Sequence, residues 1–395
     1  MNGDTVRPIA LLLGCGLPNT LAAVRALGHK RIPLAVCGAD DSYVTASRWF
    51  RPWPIPQSPS PDTLLTDLLR LPVHQRGVVI PCSDRWMQAL TRIDHADAPG
   101  FRWCVPPADA ADICLDKAQF ADALDRLDLP RPRTWFPERG QMPPPAELTG
   151  CFVKPRDSFA FAARFEAKGF RLEDAAHAAR VLETCQSAGL SVIVQELIPG
   201  PPTQHYMLDG FIDRHGRIAA MFARHRLRAQ YGALSNSSCL VSLDPAVMAQ
   251  PAADLERLLK NIGYRGIFSV EFKLDPRDGV FKFIEVNTRP WGDMALALRC
   301  GVDVMEMAWL DAQEHEVPAI TRYKIGQHWI SLFRDRVVCQ QMIRAGELSG
   351  GSALRQWAGA ATDIFALNDP LPLAAEMGRR LSRRWRRASH VYSPA

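Results

Sequence analysis

Residues 9–13 are an unbroken apolar run, followed by a Gly14-Cys15-Gly16 turn and then by Leu21, Val24 and Leu27 at helical spacing. That pattern predicts strand, glycine turn, helix. Residues 32–37 and 78–81 repeat the strand pattern, and the second precedes a helix predicted over 84–93. Strands alternating with helices predict a parallel, Rossmann-like sheet from about residue 5 to about residue 110. The turn reads GxGxxN and lacks the third glycine that lets helix and strand pack closely. Asp40 and Asp41 follow the second strand where a ribose acid would sit, so an NAD-dependent oxidoreductase stays open as a rival; a tight turn in an α/β domain is the favoured reading.

From about residue 112 the pattern changes. Residues 111–127 have helical periodicity, Pro130 and Pro132 end it, and 134–136 read as a short strand. A proline-rich loop (140–145) leads to a strand over 151–155, a helix over 173–188 and a strand over 191–197, after which strands alternate through 207–223 and 266–286. Beyond about residue 320, residues 337–344 and 373–386 read as helices, separated by breaks at Gly350-Gly351 and Asn368-Asp369-Pro370.

At 395 residues the chain exceeds the ~250–300 at which one hydrophobic core stops growing. The expected division is a Rossmann-like domain over 1–111, a second domain over 112–320, and a mainly helical extension over 321–395 with a basic terminus. Apolar residues make up 47% and charged residues 23%, the ordinary range for a folded chain. No run of ~18 apolar residues occurs and residues 1–10 do not read as a secretory leader, so the cytoplasm is the expected compartment. The ten cysteines form no CxxC pair; most read as reduced, small core residues, and a catalytic thiol is the alternative for any of them. The net charge of +5 is local, since Arg379, Arg380, Arg383, Arg384, Arg386 and Arg387 cluster around Trp385. A solvated helix end is the favoured reading of that cluster, with contact to an anionic membrane surface as the weaker one; nucleic acid is not an expected partner, and assembly of identical chains is compatible with the sequence.

The hairpin over residues 268–287 turns at Asp275-Pro276-Arg277-Asp278-Gly279. Pairing Phe272 with Lys282 and Val270 with Ile284 places apolar residues on one face and leaves Glu271, Glu285 and Asn287 on the other, the two acids as diagonal neighbours ~7–8 Å apart. Two carboxylates and an amide oxygen suit Mg²⁺ bound to a nucleotide, because that ion takes few protein oxygens and keeps phosphates and waters; a solvated hairpin face is the alternative. Lys154 closes the 151–155 strand and Lys117 lies near the start of the helix that opens the domain. Two lysines aimed into one cleft would neutralise phosphate charge.

The order Asp116-Lys117, Phe152-Val153-Lys154-Pro155, Val194 to Gly200, Val270-Glu271-Phe272-Lys273 and Ile284-Glu285-Val286-Asn287-Thr288-Arg289-Pro290 resembles the ATP-grasp superfamily over roughly residues 112–310. Within it, the sequence is most similar to the carboxylate-amine ligase branch that includes the D-aspartate ligases. The resemblance implies α/β architecture, with an α+β grasp domain in two lobes after the Rossmann-like one. It also implies that Lys117 and Lys154 contact the ATP phosphates, that Gln195, Glu196, Leu197 and Ile198 form a hinge strand binding adenine mainly through main-chain groups, and that Glu271, Glu285 and Asn287 hold Mg²⁺, for which Mn²⁺ can substitute. Arg289 would face the γ-phosphate or the acyl phosphate. Arg228, within Arg226-Leu227-Arg228, would serve substrate or phosphate, the alternative for both arginines being a basic surface patch.

Two departures stand out. The 156–170 loop, normally glycine-rich in the family, has Gly169 as its only glycine, and the segment after Gly200 lacks the acid that relatives often carry. The implied activity is ATP-dependent joining of a small carboxylate to an amine through an acyl phosphate. The rivals are a nucleotide-binding protein without ligase activity and an enzyme making carboxyl or carbamoyl phosphate. Substrate recognition is expected near Ser83-Asp84-Arg85 and residues 235–238.

Overall fold

A computed structural model describes residues 7–40, 42–156, 158–230 and 236–391; Asp41, Asp157 and Ser235 lie outside the described residues. The chain forms two compact units. The first comprises Met1–Cys104, Pro290–Val317 and Gln327–Ala395, the second Val105–Arg289 and Pro318–Gly326. Cuts at 111/112 and 320/321 therefore differ from the packing, in which residues 290–317 return to the first unit.

The first unit begins with β1 (Ala10–Leu13), α1 (Pro18–His29), β2 (Leu34–Cys37), α2 (Leu64–Leu69), β3 (Val78–Pro81) and α3 (Asp84–Leu90). The strands run parallel in the order β2-β1-β3, and every residue in them is buried, as in a sheet covered on both faces. Gly14 is required after β1, because a Cβ there would stand 2.6 Å from the Cys37 carbonyl oxygen. Asn19, at the place of the missing third glycine, is buried and donates from Nδ2 to the Cys82 carbonyl at 2.6 Å, so its amide is spent on holding α1 to the end of β3.

The second unit starts with α4 (Ala108–Leu115) and α5 (Lys117–Arg126), which the sequence predicts as one helix. Asp116 separates them: its backbone is extended (φ −92°, ψ 113°), and its carboxylate accepts from the Ala118 N–H at 2.8 Å and the Gln119 N–H at 3.2 Å. This N-cap satisfies two orphan donors and fixes Lys117 as the first residue of α5. Next come β4 (Thr134–Trp135), β5 (Cys151–Pro155), α6 (Ser158–Phe165), β6 (Phe170–Arg171), α7 (Ala175–Ser187) and β7 (Val192–Glu196). Their strands are antiparallel in the order β4-β7-β5-β6. Val153, Phe161, Leu172, Cys185 and Val194 form the core beneath α6 and α7.

The rest of this unit is β8 (His205–Ile212), β9 (Ile218–Ala229), β10 (Ser237–Ser242), α8 (Ala249–Asn261), β11 (Gly266–Leu274) and β12 (Phe281–Asn287), an antiparallel run in the order β12-β11-β8-β9-β10. One face buries Leu208, Phe268, Val270, Phe272, Phe283 and Val286 against Leu255, Leu258 and Leu259 of α8. Leaving water drives this layer together, at about 1.5–3 kcal/mol for each large side chain fully buried.

The chain then rejoins the first unit as α9 (Ala295–Cys300), α10 (Val304–Ala312), β13 (His328–Ile330), α11 (Leu332–Arg344), α12 (Gly350–Trp357), β14 (Ala361–Thr362) and α13 (Leu371–Val391). α10 is tied in by Trp309 Nε1, which donates to the Pro8 carbonyl at 3.1 Å, and by the Lys30–Glu306 ion pair. The loop before α13 is held by Asp369, which accepts from Arg25 Nε at 2.9 Å, Ser47 Oγ at 2.8 Å and the Arg48 N–H at 2.9 Å. Eight of the ten cysteines are buried, as their reading as core residues requires. Among the described residues no helix is long and apolar enough to cross a membrane.

Candidate active site

Directly paired residues of antiparallel strands point to the same face. The register Glu285–Glu271–Met207–Arg224 across β12, β11, β8 and β9 therefore puts both acids and Arg224 on the face opposite the apolar layer. Asn287, paired with Ser269, joins the acids, and strand alternation adds Arg226 and Arg228 from β9.

The predicted register needs correction. Glu271 and Glu285 are directly opposite rather than diagonal, Lys282 pairs with Lys273, and a shift between Glu271 and Phe272 leaves Ile284 as an extra residue on β12. Such a bulge lets Phe283 take the core position in place of Ile284, with its ring 4.5 Å from that of Phe272, without turning Glu285 to the wrong face. Ile284 lines a cleft with Lys117, Lys154, Gln195, Thr134 and Phe283.

Lys154 is buried on β5, and its Nζ lies 3.7 Å from Glu285 Oε2. Burial works against the Glu285 charge, but Lys154, Lys117, Lys168 and Arg289 together hold its carboxyl below the usual range. Burial and then the facing Glu285 carboxylate push Glu271 up. The two acids are thus in opposed electrostatic states. Arg289 Nη2 donates to Asn287 Oδ1 at 3.2 Å, which orients both side chains.

Residues 195–198, the hinge strand that the resemblance implies, divide by group. Gln195 Nε2 donates to Thr134 Oγ1 at 3.1 Å. The Glu196 carboxylate accepts from the Arg133 N–H at 2.9 Å, Arg133 Nε at 3.2 Å and Arg277 Nη1 at 3.1 Å. Those side chains serve the fold, and the Leu197 N–H is taken by the Gly150 carbonyl at 2.6 Å. The Ile198 N–H is used by none of the described hydrogen bonds.

Arg226 and Arg228 are not a surface patch: they are 5% and 3% exposed, and Arg226 Nε donates to Ser237 Oγ at 2.9 Å. The 156–170 segment is not a plain loop either. It holds α6, whose fully buried Phe161 packs against Phe165 and Phe170. Lys168, which follows α6, donates to Asn236 Oδ1 at 2.5 Å and contributes to the field on Glu285. Sequence reasoning passed over it; the lysine beside the segment's only glycine was the available signal. Also passed over were Lys273, buried and donating to the Gly200 carbonyl at 3.2 Å, and the buried Asp209–Arg224 pair, both signalled by polar residues at alternate strand positions. Ser83 caps α3 in the first unit, and Arg85 pairs with Asp62 there at 3.0 Å.

The family model of the carbamoyl-phosphate synthase L chain, ATP binding domain, matches residues 241–318. A D-aspartate ligase of Enterococcus faecium (strain Aus0004) is 25% identical over 228 residues, which is 54% of this chain and 53% of that protein. The chain thus spans about half the length of that curated relative. The fold resembles the L-amino acid ligase from Bacillus licheniformis, with a TM-score of 0.54 and 13% identity over 78% of this chain and 74% of that one. It also resembles the biotin carboxylase domain of Hydrogenobacter thermophilus 2-oxoglutarate carboxylase, solved with MgADP, ADP and bicarbonate, with a TM-score of 0.60 and 14% identity over 82% of this chain and 74% of that one. The matched family model lies over the segment that carries Glu271, Glu285 and Asn287, and the chain is similar in sequence to a D-aspartate ligase and in fold to ATP-dependent ligases and carboxylases.

Proposed function

We propose that this chain is an ATP-dependent carboxylate-amine ligase, which activates a carboxylate as an acyl phosphate and joins it to an amine, releasing ADP and phosphate. The observation that carries this reading is the ammonium of Lys154 beside Glu285, with Glu271 facing Glu285 across the hairpin.

Mg²⁺ fits these residues. Burial and the charge opposite disfavour ionised Glu271, a repulsion that a divalent cation between the carboxylates would remove. Glu271, Glu285 and Asn287 Oδ1 would hold Mg²⁺, or Mn²⁺ in its place, and the bound ion would neutralise phosphate charge. Lys154 and Lys117, which line one cleft, would hold phosphate oxygens, with Lys168 as a third ammonium. Adenine would lie along the hinge, between the Glu196 carbonyl and the Ile198 N–H.

Arg289, oriented through Asn287, would face the transferring phosphoryl group, and Arg228 with Arg226 would hold the carboxylate. A carboxylate oxygen then attacks the γ-phosphorus as its bond to ADP breaks. The amine next attacks the acyl carbon, the bond to phosphate breaks, and the departing phosphate takes up the proton that the amine nitrogen loses. No protein nucleophile is required, since the chemistry rests on positioning and fixed positive charge.

One observation favours a second reading, nucleotide binding without chemistry: helix α6 stands where the family's glycine-rich loop folds over phosphates. An ADP-release screen over carboxylates and amines with Mg²⁺ separates the readings. Carboxylate-dependent release that Lys154→Ala removes supports the ligase. Nucleotide binding with no release under any substrate supports the binding protein, and dependence on bicarbonate supports a carboxyl-phosphate enzyme.

A further inference from the structure

Over residues 371–382, helix α13 carries exposed apolar residues along one side. Leu371, Met377 and Leu381 are 59%, 50% and 63% exposed, and Ala374 and Gly378 lie exposed between them. The opposite side is turned to the fold: Pro372 is buried, Arg380 stacks over the Phe333 ring at 4.0 Å, and Glu376 accepts from Arg380 at 2.8 Å. The three-and-four spacing of 374, 377, 378 and 381 continues in the sequence to Trp385 and Ala388. No acid follows Glu376, whereas Arg379, Arg380, Arg383, Arg384, Arg386 and Arg387 all do.

We propose that α13 is a bilayer-docking helix, seating its outward apolar stripe at the boundary between headgroups and acyl chains of a membrane rich in anionic lipid. An amphipathic helix with an apolar stripe and an arginine-rich remainder binds in the interface plane, because buried apolar area and attraction to lipid phosphates add. Nucleic acid offers the same phosphate chemistry but would leave the leucines and methionine in water. A second copy of this helix would bring two arginine clusters together without a compensating acid. The inference concerns the first unit and stands apart from the ligase reading.

Sedimentation of the full chain with vesicles tests it. Binding is expected to vesicles of phosphatidylcholine with phosphatidylglycerol and not to phosphatidylcholine alone, weakening about tenfold or more as salt rises from ~50 to ~200 mM. The pair Met377→Ser and Leu381→Ser removes apolar area without changing charge. It is expected to weaken binding about tenfold, with an unaltered melting midpoint because both side chains are exposed. Replacing Arg383, Arg384, Arg386 and Arg387 by Gln is expected to weaken it similarly. Absence of binding to the anionic vesicles, unchanged binding of the serine pair, or tighter binding to a short DNA duplex than to vesicles would each overturn the proposal.

Discussion

Lys154 Nζ stands 3.7 Å from Glu285 Oε2, joining the middle of the β4-β7-β5-β6 sheet to the edge hairpin of the other sheet in the same unit. The lysine side chain is 11% exposed and the glutamate 36% exposed, so the pair lies at the mouth of the cleft rather than in the core. Placement there suits a charge meant for a ligand.

Glu285→Gln keeps the shape of that side chain and removes its charge. Carboxylate-dependent ADP release is expected to fall about a hundredfold or more while the melting midpoint stays within a few degrees, because the partly exposed side chain keeps its shape and the loss of its pairing with Lys154 is offset by relief of its repulsion with Glu271. Chelating divalent cations with EDTA should silence the parent chain in the same assay, and Mg²⁺ or Mn²⁺ should restore it. Near-parental turnover of Glu285→Gln contradicts the assigned role.

Phe283 fills the core position that the β-bulge gives it, 1% exposed and against Phe272 and Phe120. Phe283→Ala is expected to cost about 3–5 kcal/mol in denaturant unfolding, the range for a buried aromatic replaced by a cavity. Ile284→Ala, at the partly exposed bulge, should cost less than Phe283→Ala. The reverse order would mean that Ile284, not Phe283, occupies the core.

Asp369 is 1% exposed, and the charge it neutralises on Arg25 is 10% exposed. Burial lowers the Arg25 pKa, and the hydrogen bond it donates to Asp369 works in the opposite sense. Asp369→Ala leaves a buried guanidinium without its acid and should destabilise the first unit by about 3–5 kcal/mol. Adding Arg25→Met to that variant should recover part of the loss; if the two changes are strictly additive, the pair is not coupled as described.

His205 sits at the start of β8, where burial and then the charges of Arg226, Lys273 and Lys154 push its pKa down to about 2. The unfolded chain takes up this proton near pH 6.5 and the folded chain does not. The stability contribution is therefore fully present above about pH 6.5 and declines as pH falls toward 2, by about 2 kcal/mol at pH 5. His205→Gln should flatten unfolding free energy against pH between 6.5 and 5. An unchanged slope would show that His205 protonates in the folded state.

Part of the cleft's geometry is legible in the chain itself. Lys117 and Lys154 line one cleft, and Glu285 lies beside Lys154 and opposite Glu271. Strand alternation alone puts Glu271 apart from Val270 and Phe272, since a two-residue period is a property of extended backbone. The continuous apolar runs of β1, β2 and β3 likewise announce a parallel sheet buried on both faces.

Other features exist only in three dimensions. Periodicity runs through Asp116 because a helix and an N-cap tolerate the same neighbours, and only the bonds to the Ala118 and Gln119 N–H groups reveal two helices. The bulge at Ile284 is invisible in a pattern where Phe283 and Ile284 are equally apolar; the larger ring takes the space beside Phe272. Packing likewise sends residues 290–317 back to the first unit, since burial depends on complementary surfaces and not on adjacency along the chain. The residues and their periods thus determine which charged side chains each strand presents, while long-range contacts decide which charges face one another, because Coulomb interactions depend on distance and burial that no local pattern encodes.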